Sequence, residues 1–406
     1  MKYIDGGVCA AKGFKAAGLH CGVKTNNKEK KDVALIVADV DCNAAAVYTT
    51  NIVKAAPLYV TKDNLADGKA RAVIVNSGNA NACAPEDREN AVRMCRAAAA
   101  ALDLAETDIA VASTGVIGQR LRIEVIEDGL PTLVSLLSEN GSDAAASAIM
   151  TTDTVKKECA VKFEIGGKTV TLGGISKGSG MIHPNMGTML CFITTDCAIS
   201  SEMLDKALKD VTKMSFNRIS IDGDTSTNDM CLVLASGTAG NDEITTTEGG
   251  DYETFCEALK AVCISLAKEM ASDGEGAQHL ITCTVSGAES EGKAEAIAKS
   301  VISSTLFKAA VFGCDANCGR ILCAMGYSGA QYDPDKVSVA LRSAAGIIDV
   351  CENGRGLVFD EELAKKILTE HDVEVLIWMG EGDAECTCWG CDITYDYIKI
   401  NGDYRS

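Results

Sequence analysis

Short β-rich runs and longer stretches with a 3.6-residue apolar repeat alternate along the whole 406-residue chain. This interleaving limits the chain to a mixed architecture. The β-rich runs fall at 33–37, 72–75, 159–165, 169–172, 189–194, 230–234, 280–285, 337–341, 373–377 and 393–400. Helical periodicity marks 86–101, 123–137, 201–214, 252–270 and 293–312. The turn Ile165-Gly166-Gly167-Lys168 joins two alternating strands, so antiparallel pairing is present. No βαβαβ run carries a glycine fingerprint, which argues against a doubly wound nucleotide binder. The chain is long enough for about two or three domains of core. With only five prolines, no low-complexity linker and no internal repeat, it reads instead as one continuous α+β body, with layered sheets covered by helices.

Charge and composition narrow the function. The 38 Lys+Arg against 57 Asp+Glu leave a net charge of −19, too acidic for a phosphate-backbone binder that works by releasing counterions. No window approaches the ~18 consecutive apolar residues of a membrane span. The start, Met1-Lys2-Tyr3-Ile4-Asp5-Gly6-Gly7, lacks the apolar core of a signal peptide. A cytoplasmic enzyme or binding protein is the expectation, with neither nucleic acid nor membrane as partner.

The 19 cysteines stand out. Cys386-Thr387-Cys388-Trp389-Gly390-Cys391 contains a C-x-x-C, but a structural zinc site needs a second pair at matching spacing. Cys314, Cys318 and Cys323 are spaced too loosely to supply it. The alternation through Ile393, Tyr395, Tyr397 and Ile398 reads as a strand, whereas a redox C-x-x-C belongs at a helix N-terminus. The thiols therefore read as small buried apolar side chains.

Several motifs fail on spacing. Gly173-Gly174-Ile175-Ser176-Lys177-Gly178-Ser179-Gly180 resembles a phosphate cradle, but no Ser or Thr follows Lys177. Asp222 to Asp229 begins like a calcium loop, yet position six is Thr227 and position twelve is Val233. His20, His183, His279 and His371 offer no zinc spacing, so no metal site is expected. No G-x-S-x-G elbow supports a Ser-His-Asp hydrolase.

Two segments carry chemistry. Lys177 to Leu190 is a glycine-punctuated loop that stops at Gly187-Thr188 and runs into an apolar strand. Glycines and a proline permit tight backbone geometry just before a hydroxyl residue. The Thr188 hydroxyl can then attack the Gly187 carbonyl. Hydrolysis of the resulting ester frees an N-terminal threonine, a nucleophile with its own general base. An ordinary loop-to-strand turn fits the same residues. Val111-Ala112-Ser113-Thr114-Gly115-Val116-Ile117-Gly118 is a strand ending in a Thr-Gly turn, whose hydroxyl and N–H groups can stabilise an oxyanion. A plain strand-ending turn fits here too.

Together the two segments resemble the ornithine acetyltransferase (glutamate N-acetyltransferase) family of arginine biosynthesis. The resemblance runs nearly end to end. It includes Tyr48-Thr49-Thr50-Asn51, Asn76-Ser77-Gly78-Asn79-Ala80-Asn81 and Met150-Thr151-Thr152-Asp153-Thr154. Asp222 to Asp229, Asp273-Gly274-Glu275-Gly276-Ala277 and the terminal Ile400-Asn401-Gly402-Asp403-Tyr404-Arg405-Ser406 continue it. The family usually has Ala before the nucleophile, where this chain has Gly187.

The resemblance implies an N-terminal-nucleophile-like fold of the aminopeptidase/ornithine acetyltransferase type. It implies self-cleavage between Gly187 and Thr188 into an α chain, 1–187, and a β chain, 188–406, that stay associated in an α2β2 heterotetramer. Thr188 takes acetyl from N2-acetylornithine and gives it to glutamate, with Thr114 and Gly115 as oxyanion hole. Substrate contacts carry over to Thr154, Lys177, Thr188, Glu275, Asn401 and Ser406. No cofactor is implied. The sequence leaves open whether acetyl-CoA also serves as donor, for an N-acetylglutamate synthase activity. The alternative is a related amidase or aminopeptidase that passes the acyl group to water.

Overall fold

A computed structural model describes residues 1–25, 29–183 and 189–402. A nine-stranded sheet runs in the order Lys2–Ile4, Lys157–Ile165, Lys168–Lys177, Leu190–Thr195, Met230–Ala235, Val33–Tyr48, Lys69–Asn76 and Ile109–Ser113. Phe14–Leu19 also pairs with Val33–Tyr48. Leu190–Thr195 is central and wholly buried. It pairs antiparallel with Lys168–Lys177 and parallel with Met230–Ala235. Its unbroken apolar and threonine content suits a strand covered on both faces.

Helices supply that cover. Ser201–Met214 begins where the Ser200 side chain accepts from Met203 N, and it repeats apolar residues at Leu204, Ala207, Leu208 and Val211. With Asp251–Ser272 it packs Leu204, Leu208, Phe255 and Leu259 against Cys191, Ile193 and Val233. On the opposite face Phe192 and Leu232 meet Ala145, Ala148 and Ile149 of the helix Ser142–Ile149. A second, seven-stranded sheet takes in Ser338–Ser343, Asp372–Trp378, Leu280–Ala288 and Ala384–Cys391. Helices Glu291–Ser303 and Cys318–Gly326 pack on it. Its residues Leu280, Trp389 and Cys391 enter the core cluster of the large sheet, so the two sheets pack together there, while the rest of the second sheet has a core of its own. The expected layered α+β body is the one observed.

The hairpin at Gly166-Gly167 forms as read, both glycines at positive φ (54° and 73°), the geometry a two-residue turn needs. Two elements differ from expectation. The periodic stretch 293–312 is two helices, Glu291–Ser303 and Thr305–Phe312, because Ser304 turns the chain and caps the second by accepting from Phe307 N. The strand expected at 393–400 is instead the helix Tyr395–Gly402, and the strand lies earlier, over Ala384–Cys391. Thr394 explains the change: its hydroxyl donates to Gly276 O at 2.7 Å and accepts from Tyr397 N, which starts the helix.

All 19 cysteines are free thiols and twelve of them are buried. Cys191, Cys231 and Cys263 sit in the core of the large sheet, and Cys283, Cys386 and Cys388 in that of the second. Burial pushes the Cys95 thiol up to about 12, which suppresses the reactive thiolate. No helix among the described residues is long and apolar enough to cross a membrane.

Candidate active site

The strand Leu190–Thr195 starts at the wall of a cavity of about 130 Å³. Met189 and Leu190 line it, together with Thr114, Gly115, Lys177, Glu275 and Asn401. Five of the residues expected at the site from sequence are thus brought together. Gly187, Thr188 and Ser406 lie outside the described residues.

The Thr-Gly turn is held from three sides. Thr114 N donates to Asn76 O at 2.9 Å. The Asn228 amide donates to Ala80 O at 2.6 Å and to Ser113 O at 2.8 Å, tying the turn to the strand Met230–Ala235. Gly115 has φ +128°, and a Cβ there would stand 2.7 Å from Asn79 N. Only glycine fits both the angle and the space.

Lys177 ends the strand Lys168–Lys177 and pairs with Leu190. It is 7% exposed. Behind it lies a buried network in which Lys157 Nζ contacts Asp153 Oδ1 at 2.8 Å and Asp273 Oδ2 at 2.6 Å. Asp153 also accepts from Gly178 N at 2.7 Å and Thr151 N at 3.0 Å. Burial works against the Asp153 carboxylate, but Lys177 and Lys157 outweigh it and hold the group well below the usual carboxylate range.

Glu275 follows the helix Asp251–Ser272 and is 9% exposed. Its N–H donates to Ser179 O at 2.7 Å, and its Oε2 accepts from the Asn401 amide at 2.7 Å. A Cβ on Gly180 would stand 2.5 Å from the Glu275 carboxyl carbon, so that glycine makes room for the acid. The C-terminal helix thereby orients Glu275 at the cavity wall.

Thr154 does not line this cavity. Its N–H donates to Asp273 at 3.0 Å and its hydroxyl donates to the same carboxylate, which ties this exposed residue to the edge of the network. Thr151 and Thr152 face the cavity instead. The sequence reading also missed Asp229, a lining residue that is 2% exposed and whose Oδ2 has no hydrogen-bond partner. Burial raises its carboxyl well above the ordinary range, against the pull of Ser226, Thr49 and Lys177. The available signal was its place, the last of a polar run before the fully buried strand Met230–Ala235. Among the described residues, no group of three or more His, Cys, Asp or Glu could hold a metal ion.

A small cavity carrying a buried lysine and a buried glutamate suits an enzyme of small charged metabolites rather than one of polymers. Comparison with known proteins makes this specific. The chain belongs to the ArgJ family, whose model matches residues 15–406. The arginine biosynthesis bifunctional protein ArgJ of Symbiobacterium thermophilum is 50% identical over 407 residues, spanning all of both chains. That of Geobacillus kaustophilus is 49% identical over 404 residues, covering 99% of this chain and 97% of its own. A crystal structure of the Bacillus halodurans ArgJ protein is 42% identical, with a TM-score of 0.50. The match covers 52% of this chain and 98% of that one.

Proposed function

We propose that the cavity is the active site of a glutamate N-acetyltransferase of arginine biosynthesis, with Thr188 as nucleophile after cleavage of the Gly187–Thr188 bond. The observation that carries this reading is the convergence of Met189, Leu190, Thr114, Gly115, Lys177 and Glu275 on one small cavity. The family membership and the names of the relatives support it.

Cleavage begins when Thr188 Oγ adds to the Gly187 carbonyl carbon. The C–N bond breaks, the acyl group passes from nitrogen to oxygen, and water hydrolyses the ester. The products are a carboxylate on Gly187 and a free amine on Thr188. The fragments 1–187 and 188–406 then stay together because Lys168–Lys177 and Leu190–Thr195 are paired from Leu172↔Thr195 to Lys177↔Leu190. A solved relative whose chain matches only about half of this one suits such a division.

In transfer, the Thr188 amine takes the hydroxyl proton as Oγ adds to the acetyl carbon of N2-acetylornithine. Thr114 and Gly115 donate to the oxyanion. The C–N bond breaks, the proton passes to the departing amine, and ornithine leaves an acetyl ester on Thr188. The amine of glutamate attacks that ester and loses its proton to the Thr188 amine; the acetyl C–Oγ bond breaks, Oγ takes that proton back as the hydroxyl, and N-acetylglutamate departs. Lys177 meets the α-carboxylate and Glu275 the side-chain ammonium of ornithine. Asn401 holds Glu275, Thr151 and Thr152 complete the wall, and Ser406 is a further substrate contact by the family resemblance. Thr154 serves through Asp273. The relatives' name, bifunctional, suits a second activity, acetylation of glutamate from acetyl-CoA at the same threonine. The same reading puts the enzyme in the cytoplasm as an α2β2 assembly.

Mass spectrometry of the purified protein tests this. Two fragments divided before Thr188 are expected for the wild type, and one intact chain without transferase activity for Thr188→Ala. A wild type that stays uncleaved and yet transfers acetyl at full rate overturns the mechanism. Faster release of acetate than of N-acetylglutamate at saturating glutamate points to the amidase alternative.

A further inference from the structure

A second cavity, of about 290 Å³, adjoins the first and shares Gly115, Thr151 and Thr152 with it. Lys24, Lys30, Arg120 and Arg122 line it, and among the described residues no carboxylate does. In a chain with an excess of 19 negative charges, four cations around one concave space run against the overall composition.

Neutral acceptors hold two of these cations in place, while carboxylates outside the cavity lining stand near others. Lys24 Nζ is fixed by three neutral acceptors, Lys31 O at 2.9 Å, Ser77 Oγ at 2.7 Å and Met150 O at 2.7 Å. The nearby Asp32 carboxylate accepts from the backbone N–H groups of Cys21, Gly22 and Lys24 at 2.6, 3.1 and 3.0 Å, and lies 3.3 Å from His20 Nδ1. Arg122 reaches Gly22 O at 3.1 Å, and Arg120 reaches outward to Glu86 at 3.2 Å and Glu124 at 4.0 Å. Arg122 also stands directly before the helix Ile123–Ser135, whose N-terminal N–H groups favour an anion. Burial lowers Lys24 to about 8; the Asp32 and Asp153 carboxylates oppose the shift and repulsion from Lys30 and Lys177 adds to it, so the charges of the two cavities act on one another.

The reaction proposed above supplies a need for such a place. N2-acetylornithine brings one carboxylate, for which Lys177 suffices, and an ammonium for Glu275. Glutamate brings a second carboxylate, which Glu275 repels, and a thioester donor such as acetyl-CoA brings phosphates. We propose that the basic cavity is an anion subsite of the transfer reaction, holding the anionic group that distinguishes these partners from N2-acetylornithine. The inference rests on the acetyltransferase reading of the adjoining cavity.

The test separates the half-reactions on the processed enzyme. Arg122→Gln and Lys30→Gln are changes at exposed side chains, so folding should survive them. The burst of ornithine released from N2-acetylornithine, the glutamate-dependent loss of acetyl from the enzyme, and acylation by acetyl-CoA are measured separately. Loss of one charged hydrogen-bonding partner should raise KM for the anionic partner by about tenfold per substitution, with the burst amplitude and rate within about twofold of wild type. A rise confined to glutamate assigns the subsite to the acceptor's second carboxylate. A rise confined to acetyl-CoA assigns it to phosphate. A normal burst with both KM values unmoved in the double variant overturns the subsite alone. A wild type that gives no ornithine burst overturns the transferase reading, and the subsite with it.

Discussion

Lys157 is fully buried between Asp153 and Asp273, and replacing it with methionine isolates two carboxylates in the interior. The methylene stem keeps its packing, so the charge is the main thing lost. Breaking one side of a buried ionic network typically costs about 3–5 kcal/mol. With an unfolding entropy of ~2.1 cal/mol/K per residue over 406 residues, that corresponds to a fall in Tm of about 4–6 °C. The loss should depend on pH in a definite direction. In the wild type, Lys177 and Lys157 depress Asp153 below its unfolded value. Its contribution is therefore complete above about pH 4 and fades as acidification passes through the folded value. In Lys157→Met, burial is less opposed and the folded Asp153 carboxyl value rises. The folded state then binds more protons than the unfolded one, so the variant's deficit grows from about pH 4 to pH 7. Denaturant titrations of both proteins at pH 4.5 and 7.5, with unchanged m, measure this. A deficit below about 1 kcal/mol, or one equal at the two pH values, refutes the reasoning. Because Asp153 also holds Gly178 N, the variant should bind substrate more weakly through Lys177.

Two further outcomes follow from the cavity. Gly115→Ala forces the turn away from Asn79 and should lower kcat by about 10²-fold, with KM little changed; steady-state kinetics check this, and a variant within about threefold of wild type removes Gly115 from the oxyanion hole. Asp229→Asn keeps the shape of a carboxyl that burial holds above its ordinary range. A raised carboxyl contributes stability at pH values below its unfolded value and loses it as pH rises through the folded one. The variant should therefore lose less stability than the wild type between pH 5 and 8 in urea titrations, and an identical slope in both proteins contradicts a protonated Asp229.

How much was legible depended on the range of the interactions. The helix Ser201–Met214 was readable because its apolar repeat and its Ser200 cap lie within the segment itself. The Gly166-Gly167 turn was readable for the same reason. At 393–400 the side-chain alternation suggested a strand, but the outcome turned on Thr394 reaching Gly276, 118 positions away. That Thr151 and Thr152 line the cavity while Thr154 bonds Asp273, 119 positions away, was not legible either. Nothing within Met150 to Thr154 distinguishes the three hydroxyls. Asp229 escaped notice for a related reason: a carboxyl becomes unusual only once neighbouring elements have buried it.

The sequence by itself determined the alternation of strands and helices, the two segments suited to nucleophile and oxyanion chemistry, and the family. These rest on local periodicity and on residue types in a fixed order, which chain connectivity preserves. Tertiary structure decided which threonines face the cavity, that Glu275 is oriented by the C-terminal helix, and that a basic cavity adjoins the oxyanion turn. Each of these depends on contacts between residues far apart in the chain, where burial and opposing charge set what a side chain can do.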